Sequence, residues 1–324
     1  MVAEISTSHL GSCDRAFKML NEAKKAGADA VKFQTYTAEE LAADVMIKSG
    51  PWAGRTYHDI YREGETPWDW HAGLFEYARS IGLMPFSSPF SEKAVVLLES
   101  IGCPIYKIAS PEIVHLPLIA AAARTGKPLF ISIGAASYDD IIAAVQTAHD
   151  NNSGDITLLC CLSAYPASVS DFNFRKMELL QRKGYRVGLS DHSNGSLAAI
   201  IATALGAEVI EKHFTLLRAD GGLDAAFSAE PSEFEYMVNV CCEVSAAMGD
   251  ESFELRDCEK PGFHHRRSIW CARDVKEGET IKLDNVAILR PNYGIQPCFL
   301  DDVIGKTATC DIIAGTPMNW MLFK

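Results

Sequence analysis

Residues 186–215, RVGLSDHSNGSLAAIIATALGAEVIEKHFT, contain two apolar runs that each end in a polar cluster with a histidine. Residues 187–189 and 209–210 are typical of short buried strands, and the apolar stretch 197–205 between them predicts a helix. The segment is therefore one strand–helix–strand unit. Because the carboxyl ends of parallel strands lie on one face, we expect His192 and His213 to converge there.

The two histidines have acidic neighbours, Asp191 and Glu211. Two imidazoles with carboxylates beside them suit a divalent metal ion that keeps coordination positions open for a substrate. The alternative is that each histidine is an ordinary hydrogen-bonded residue at the rim, which is the better interpretation of a lone histidine. Two histidines at equivalent positions favour the metal site.

The rest of the chain repeats this strand–helix theme. Strands are predicted at 2–5, 30–34, 83–87, 105–108, 129–133, 156–161, 186–189 and 208–211. Helices are predicted at 14–26, 68–81, 94–101, 117–125, 138–149, 172–183, 196–205 and 232–248, and a glycine follows six of them where a left-handed cap is expected. Eight repeats predict a (β/α)8 barrel. A doubly wound open sheet is the alternative, although no G-x-G-x-x-G follows an early strand.

The pattern changes after Gly249, which predicts a barrel domain at 1–249. Residues 250–267 are polar and contain Pro261–Gly262, as expected of a linker. The tail, 268–324, is predicted to be a small β-rich domain with strands at 269–272, 287–289 and 307–310. A domain of this size is close to the lower limit for independent stability, so we expect it to dock on something.

The connection after the second strand, 36–66, is unusually long for a βα loop. Trp52, Trp68, Trp70, Tyr57 and Tyr61 lie in it or just beyond it. Long aromatic loops over the active face of a barrel can act as lids or sugar-stacking surfaces. A hydrophobic patch that packs the loop onto the barrel is an equally good interpretation.

Composition excludes several classes of protein. The 30 basic and 42 acidic residues give a formal net charge of −12 without a long basic run, which argues against nucleic acid and membrane surfaces as partners. The chain has no apolar run of about 18 residues and no signal-peptide layout, so we expect a cytoplasmic protein. Its 10 cysteines include no C-x-x-C pair, which argues against a structural zinc site.

Lysines and hydroxyl groups recur at the predicted strand ends, and such a ring suits an anionic substrate with a phosphate or carboxylate. Each lysine could instead pair with a neighbouring carboxylate, so the evidence is their convergence. The side chains at these ends and in the following loops are Glu4, Ser8, His9, Lys32, Gln34, Ser87, Ser88, Phe90, Lys107, Ser110, Glu112, Ser132, Ser163, Tyr165, Ser190, His192, Lys212 and His213.

Several motifs resemble the sialic acid synthase family. They are AEISTSHLG (3–11), AVKFQT (30–35), PFSSPF (85–90), YKIASPE (106–112), SAYPA (163–167), GLSDHS (188–193) and EKHFT (211–215). The tail segments RRSIW (266–270), KEGE (276–279) and LRPNYG (289–294) resemble the antifreeze-like (SAF) domain of that family. Within the family, the loop 52–71 resembles most the branch that makes pseudaminic acid.

The resemblance implies a metal-dependent condensation of phosphoenolpyruvate with an open-chain acylamino sugar, with release of phosphate. It implies that His192 and His213 hold Mn²⁺ or Mg²⁺, and that Glu4 sits where water attacks C2 of the enolpyruvate. It implies a phosphoenolpyruvate site made of Lys32, Lys107, Ser88, Ser110, Ser132 and Ser190. It implies sugar contacts from Gln34, Phe90, Glu112, Tyr165, Asp224 and Arg290, with Ser163 as a further candidate.

The resemblance also implies a homodimer in which each tail caps the partner's barrel and brings Arg290 to its sugar site. The chain departs from the family pattern at Ser8, Ile133, Leu162 and Asn292, which puts the fit of the substrate in question. The alternatives are an N-acetylneuraminate or legionaminate synthase, a Schiff-base aldolase that uses Lys107 or Lys212, and a non-catalytic polysaccharide-binding or ice-binding protein.

Overall fold

Eight parallel strands close into a barrel in the first of two compact units, Met1–Gly249 and Asp250–Lys324. The computed structural model describes residues 1–50 and 52–324. The strands are β1 (Val2–Glu4), β2 (Ala30–Thr35), β3 (Met84–Pro89), β4 (Tyr106–Ile108), β5 (Leu129–Ser132), β6 (Ile156–Cys161), β7 (Arg186–Asp191) and β8 (Ile210–His213). Because β8 also pairs with β1, the predicted (β/α)8 barrel is confirmed and the open-sheet alternative is wrong.

Helices surround this barrel. They are α1 (Cys13–Lys25), α2 (Ala38–Leu41), α3 (Tyr57–Gly64), α4 (Trp68–Ser80), α5 (Glu92–Ser100), α6 (Leu116–Ala123), α7 (Tyr138–Asp150), α8 (Arg175–Arg182), α9 (Leu197–Ala204) and α10 (Pro231–Met248). The six glycines that were expected to end helices all have positive φ, as predicted. Within the described residues, no helix is both long enough and apolar enough to span a membrane.

Successive side chains of a strand point to opposite faces, so one face contributes to the core and the other to the site. In β2, Phe33 points outward and stacks on Phe75 of α4, with 5.7 Å between ring centroids. Lys32 and Gln34 alternate with it and line the mouth of the barrel. The register places Glu4 opposite both Lys32 and His213. Residues that are far apart in sequence therefore reach the same level at the carboxyl ends of the strands.

The second unit contains the antiparallel pair β9 (Ser268–Cys271) and β10 (Val286–Leu289), with the short helices α11 (Lys260–Phe263) and α12 (Leu300–Val303). It has a small hydrophobic core of its own, which includes Ile269 and Met318. The prediction of a strand at 307–310 is wrong. Its residues make only isolated bridges to two different segments, so no continuous ladder forms. The linker at 250–267 stays a prediction.

Candidate active site

A cavity of about 250 Å³ opens at the carboxyl ends of the barrel strands. Side chains from β1, β2, β4, β5, β6, β7 and β8 or their loops line it, as does the long connection after β2. The lining residues are Ser6, Thr7, Lys32, Gln34, Tyr36, Ile47, Trp52, Tyr57, Ile60, Tyr61, Lys107, Ala109, Ser110, Pro111, Ser132, Cys161, Tyr165, Ser190, His192, Glu211, His213, Leu223 and Asp224.

At the base of this cavity lies a charged floor, formed by Lys32, Lys107, Ser190 and Glu211, which line the cavity, and by Glu4, which contacts Lys32 without lining the cavity. Each of these residues is at most 4% exposed. Lys32 Nζ lies 2.6 Å from Glu4 Oε2, and Glu211 Oε1 lies 3.7 Å from Lys32 Nζ and 3.5 Å from Lys107 Nζ. The hydroxyl of Ser190 donates to the same Glu211 oxygen at 3.0 Å. Buried charges of both signs are therefore in direct contact.

The charges of the floor shift the pKa values of its members. Burial alone would raise the pKa of Glu211, but Lys107 and Lys32 outweigh burial and hold it well below its usual range. Burial opposes the charge of Lys32, but Glu211 and Glu4 raise its pKa. Burial lowers the pKa of Lys107 despite the attraction of Glu211. Glu211 is shared between Lys32 and Lys107, whereas Glu4 contacts only Lys32. Lys107 is therefore the less compensated cation and is able to pair with an anion.

Glu211 was not assigned a role from the sequence. The signal was present, because Glu211 lies two positions before His213 on the same strand and must share its face. Lys212, between them, faces the other way. Its Nζ lies 2.6 Å from Asp191 Oδ2 and 2.6 Å from the carbonyl of Ser193, outside the floor. That position argues against Lys212 as a Schiff-base lysine.

Hydroxyl groups extend the floor. Ser132 is 1% exposed, lines the cavity, and its Oγ has no hydrogen-bond partner among the described residues. The hydroxyl of Ser110 accepts a hydrogen bond from the Gly134 amide at 3.0 Å. A Cβ on Gly134 would lie 2.7 Å from that hydroxyl and closer still to that of Ser163, so these side chains would have to shift to admit one. Ser132 and Ser110 thus offer donors to an anion.

The two histidines converge as expected. Their ring centroids lie 5.2 Å apart, and both rings line the cavity. His192 Nδ1 lies 3.2 Å from the carbonyl of Leu162, which can only accept, so this contact favours the tautomer with the proton on Nδ1. His213 Nδ1 lies 3.5 Å from Asp224 Oδ2, which favours the same tautomer.

Two imidazoles held in this way fit Mn²⁺ or Mg²⁺ with open coordination positions. Their backing by a carbonyl and a carboxylate is typical of histidines that bind metals. Among the described residues no group of three or more histidine, cysteine, aspartate or glutamate side chains is arranged as a complete metal site. Water and substrate oxygens would therefore supply the remaining ligands.

Three of the predicted sugar contacts lie in the cavity. Gln34 donates to Glu4 Oε1 and Ser6 Oγ, both at 2.9 Å. Asp224 Oδ2 accepts from the hydroxyl of Ser6 at 2.5 Å. The ring of Tyr165 packs on His192, with 4.5 Å between centroids. These contacts connect the sugar candidates to both the floor and the histidines.

Other predicted residues adjoin the cavity without being among the residues that line it. Ser88 accepts from Lys32 at 3.4 Å, and Phe90 packs edge-on against Tyr36, with 5.3 Å between ring centroids. The hydroxyl of Ser163 lies next to Gly134, where it would meet an added Cβ. Burial raises the pKa of Glu112 to about 7, and its Oε2 has no partner among the described residues. Arg290 follows β10 in the second unit and is exposed.

One side of the cavity is an apolar wall, formed by Ile47, Trp52, Tyr57, Ile60 and Tyr61. These residues belong to the long connection, in which the sequence had not predicted helices α2 and α3. Trp68 and Trp70 do not line the cavity. Trp68 Nε1 donates to the carbonyl of Tyr36, and Trp70 packs against the barrel core. The connection therefore lines the cavity, the two tryptophans just beyond it pack elsewhere, and a role as a lid or sugar-stacking surface stays a prediction.

The family model described as the NeuB family matches residues 19–253, and the SAF domain model matches residues 266–323. The chain belongs to the NeuB family. It is 40% identical to a pseudaminic acid synthase of Helicobacter pylori, over 98% of this chain and 96% of the relative. It is 32% identical to an N,N'-diacetyllegionaminic acid synthase of Legionella pneumophila, over 99% of this chain and 93% of the relative.

Solved structures agree with this assignment. The N-acetylneuraminic acid synthetase of Leptospira borgpetersenii superposes with a TM-score of 0.73 at 32% identity, covering 81% of this chain and 88% of the other. The resemblance to the sialic acid synthase family, the barrel followed by a SAF domain and the interpretation as a synthase are confirmed. The non-catalytic alternative is set aside, since this NeuB-family chain is an enzyme.

Proposed function

We propose that this NeuB-family enzyme is a pseudaminic acid synthase that condenses phosphoenolpyruvate with 2,4-diacetamido-2,4,6-trideoxy-L-altrose. The observation that carries the proposal is 40% identity to the pseudaminic acid synthase of Helicobacter pylori over nearly the whole of both chains. The runner-up is an N-acetylneuraminate or legionaminate synthase, because relatives with the latter name are 32% identical.

The reaction places defined demands on the site. C3 of phosphoenolpyruvate forms a bond to the sugar aldehyde carbon, the π bond of the aldehyde breaks, its oxygen gains a proton, and positive charge develops at C2. Water adds to C2 and loses a proton, which gives a tetrahedral intermediate. The C2–O bond to the phosphate then breaks, the C2 hydroxyl loses its proton to the departing phosphate, and the 2-keto acid remains. The site must therefore bind a multiply charged anion, hold an aldehyde beside it and accept a proton near C2.

Lys32 and Lys107 are proposed to bind the phosphate and carboxylate of phosphoenolpyruvate, together with Ser88, Ser110, Ser132 and Ser190. The support is that two buried ammonium groups and an unpartnered buried hydroxyl line one cavity. The four charged side chains of the floor sum to a formal charge of zero. Lys107 shares its one carboxylate partner with Lys32, so it is the less compensated of the two cations and can pair with an added anion.

Glu4 is proposed to orient the attacking water and take its proton. Its carboxylate is fully buried and is fixed by Lys32 on one oxygen and by Gln34 on the other. A carboxylate held by two donors at the base of the cavity is well placed to act as a general base beside a cationic C2.

His192 and His213 are proposed to hold Mn²⁺ or Mg²⁺, which when bound would polarise the aldehyde as a Lewis acid. The protein's own part is to orient both imidazoles. Leu162 does so for His192 through its carbonyl, and Asp224 does so for His213 through its carboxylate.

Phosphate release from phosphoenolpyruvate, measured with a panel of acylamino sugars, tests the proposal. We expect the highest kcat/KM with the diacetamido trideoxy sugar. A higher value with N-acetylmannosamine would reject the assignment within the family and leave the reaction type intact. Absence of phosphate release with every sugar in the panel would reject the reaction itself.

We also propose a homodimer in which residues 250–267 act as a linker and each tail caps the partner's barrel, an isologous exchange. The support is that Arg290, expected at a sugar site, lies in the second unit and is exposed. Co-expression of Arg290→Ala with His213→Ala should restore activity, because one site of each mixed dimer would have an intact barrel and an intact cap. Inactive mixed dimers would refute the exchange.

A cytoplasmic location completes the proposal, since phosphoenolpyruvate is formed there. Small molecules are the expected partners, because a net charge of −12 disfavours nucleic acid. Cell fractionation with an antibody against the chain checks the location, and a signal confined to the membrane or the medium would contradict it.

A further inference from the structure

The apolar wall contains two isoleucines that are buried without contributing to the barrel core. Ile47 is 8% exposed and Ile60 is 7% exposed, and both line the cavity. Neither belongs to the hydrophobic core cluster found among the described residues of the barrel. Apolar side chains that are shielded from solvent yet face a substrate cavity are suited to contact an apolar part of the substrate.

Local backbone structure fixes the first part of the wall. The amide of Ile47 donates to the carbonyl of Arg55 at 2.8 Å, and the amide of Gly54 donates to the carbonyl of Ile47 at 3.0 Å. Met46 and Thr56 form an antiparallel bridge in the same segment. This hairpin-like closure holds Ile47 at the cavity before any ligand is bound.

Helix α3 supplies the second part. Tyr57, Ile60 and Tyr61 are spaced i, i+3 and i+4, so they share one face of the helix. Gly64 continues that face and packs against the barrel mouth. A Cβ at this glycine would lie 2.6 Å from Thr7 Cγ2 and 3.0 Å from the hydroxyl of Tyr36. The absence of a side chain at Gly64 therefore allows the helix to approach closely and positions Ile60.

The cavity also orients the sugar. The aldehyde must lie beside phosphoenolpyruvate, which means at the charged floor and near His192 and His213. The far end of an open-chain sugar then extends away from the floor, to the part of the cavity formed by the wall. In the proposed substrate that end carries a methyl group at C6 and an acetamido group at C4, whereas N-acetylmannosamine carries hydroxyls at both positions.

We propose that Ile47 and Ile60 are specificity-determining residues that contact the C6 methyl and the C4 acetamido methyl of the sugar. This inference rests on the proposed function and extends it to named side chains. On binding, a hydroxyl at C6 would lose its hydrogen bonds to water, and neither isoleucine could replace them. The wall therefore disfavours the hydroxylated sugar.

The test compares Ile47→Thr and Ile60→Thr with wild type, using the 6-deoxy sugar and its 6-hydroxy analogue. Threonine keeps a β-branched side chain and replaces apolar surface with a hydroxyl. We expect each variant to lower the kcat/KM ratio of 6-deoxy to 6-hydroxy sugar by about 10-fold, with the KM of phosphoenolpyruvate within about two-fold of wild type.

Val45→Thr is the matched control, because Val45 lies in the same hairpin but is 54% exposed and does not line the cavity. It should leave the ratio unchanged. If a threonine variant fails to fold, Ile60→Val removes one methyl group and should still raise the KM of the 6-deoxy sugar several-fold while the KM of phosphoenolpyruvate stays constant.

The outcomes separate the two proposals. An unchanged ratio in folded variants of an enzyme that prefers the 6-deoxy sugar would overturn the roles of Ile47 and Ile60 alone. A wild-type preference for N-acetylmannosamine would overturn the proposed function and this inference with it.

Discussion

The charged floor is built on strand ends, whereas the apolar wall is built on the long connection after β2. Floor residues such as Lys32 and Glu211 are fixed by the barrel ladder and by ion pairs to neighbouring strands. Wall residues such as Ile60 are fixed by one short helix and a hairpin-like segment. This difference suggests a division of labour, in which the strands carry the reaction and the connection selects the sugar.

The most severe test of the proposed reaction at the strand ends is removal of the proposed metal ion. Chelation should abolish turnover, and Mn²⁺ or Mg²⁺ should restore it, because a metal ion held by His192 and His213 would polarise the sugar aldehyde. Electron paramagnetic resonance should detect Mn²⁺ bound by wild type and not by His192→Ala. Full activity in excess chelator would contradict the metal assignment.

Removing a floor lysine should have the next largest effect. Lys32→Ala and Lys107→Ala should each weaken phosphoenolpyruvate binding by roughly 2–4 kcal/mol, since each removes a buried cation that would pair with the anionic substrate. Steady-state kinetics should show this mainly in the KM of phosphoenolpyruvate, with the sugar preference unchanged. Lys93→Ala is the control, because Lys93 forms an exposed surface pair with Glu40. Wild-type KM values in both floor variants would refute their role.

Displacing the wall should have a smaller effect. Gly64→Ala introduces a methyl group 2.6 Å from Thr7 Cγ2, so it should cost about 1–3 kcal/mol of stability and raise the KM of the sugar. The matched control is Gly73→Ala in helix α4, where a Cβ would meet only Phe17 at 3.9 Å. That change should leave kinetics intact and raise the melting temperature. Identical kinetics for the two variants would show that Gly64 does not position the wall.

The smallest expected effect concerns Glu112, whose pKa is raised to about 7 by burial. The folded protein then binds a proton that the unfolded chain has lost, so stability falls as pH rises from about 4.5 to 7. Glu112→Gln removes this dependence. Between pH 5 and 7, wild type should lose on the order of 1–2 kcal/mol more than the variant in denaturant unfolding. Parallel pH profiles would contradict the raised pKa.

How much of this was visible in the sequence differs between floor and wall. The strand period of two predicts which side chains face the barrel mouth, so Lys32, Lys107, His192 and His213 could be named before the structure. Glu211 obeys the same rule, but the sequence shows it only as a neighbour of His213. Its role depends on two lysines from other strands, which meet it only after the barrel closes.

From the sequence, the aromatic content of the long connection could be predicted, but not which of its residues form the wall. The sequence is rich in aromatic residues here, but Trp68 and Trp70 pack outside the wall, and nothing in its pattern distinguishes the two isoleucines. Helix α3 is short, and its position depends on tight packing of Gly64 against residues from other segments. Such contacts between distant segments have no periodic signal in the sequence. Conversely, the strand predicted at 307–310 had the right composition but no continuous partner.

The division between floor and wall is tested most directly by a crystal structure of the enzyme with Mn²⁺, phosphoenolpyruvate and the reduced, open-chain form of the diacetamido sugar. We expect the phosphate and carboxylate of phosphoenolpyruvate against Lys32 and Lys107, and C1 of the sugar beside His192 and His213. The C6 methyl should contact Ile47 or Ile60. Phosphoenolpyruvate bound away from both lysines, or a sugar whose methyl end points at the floor, would contradict this division.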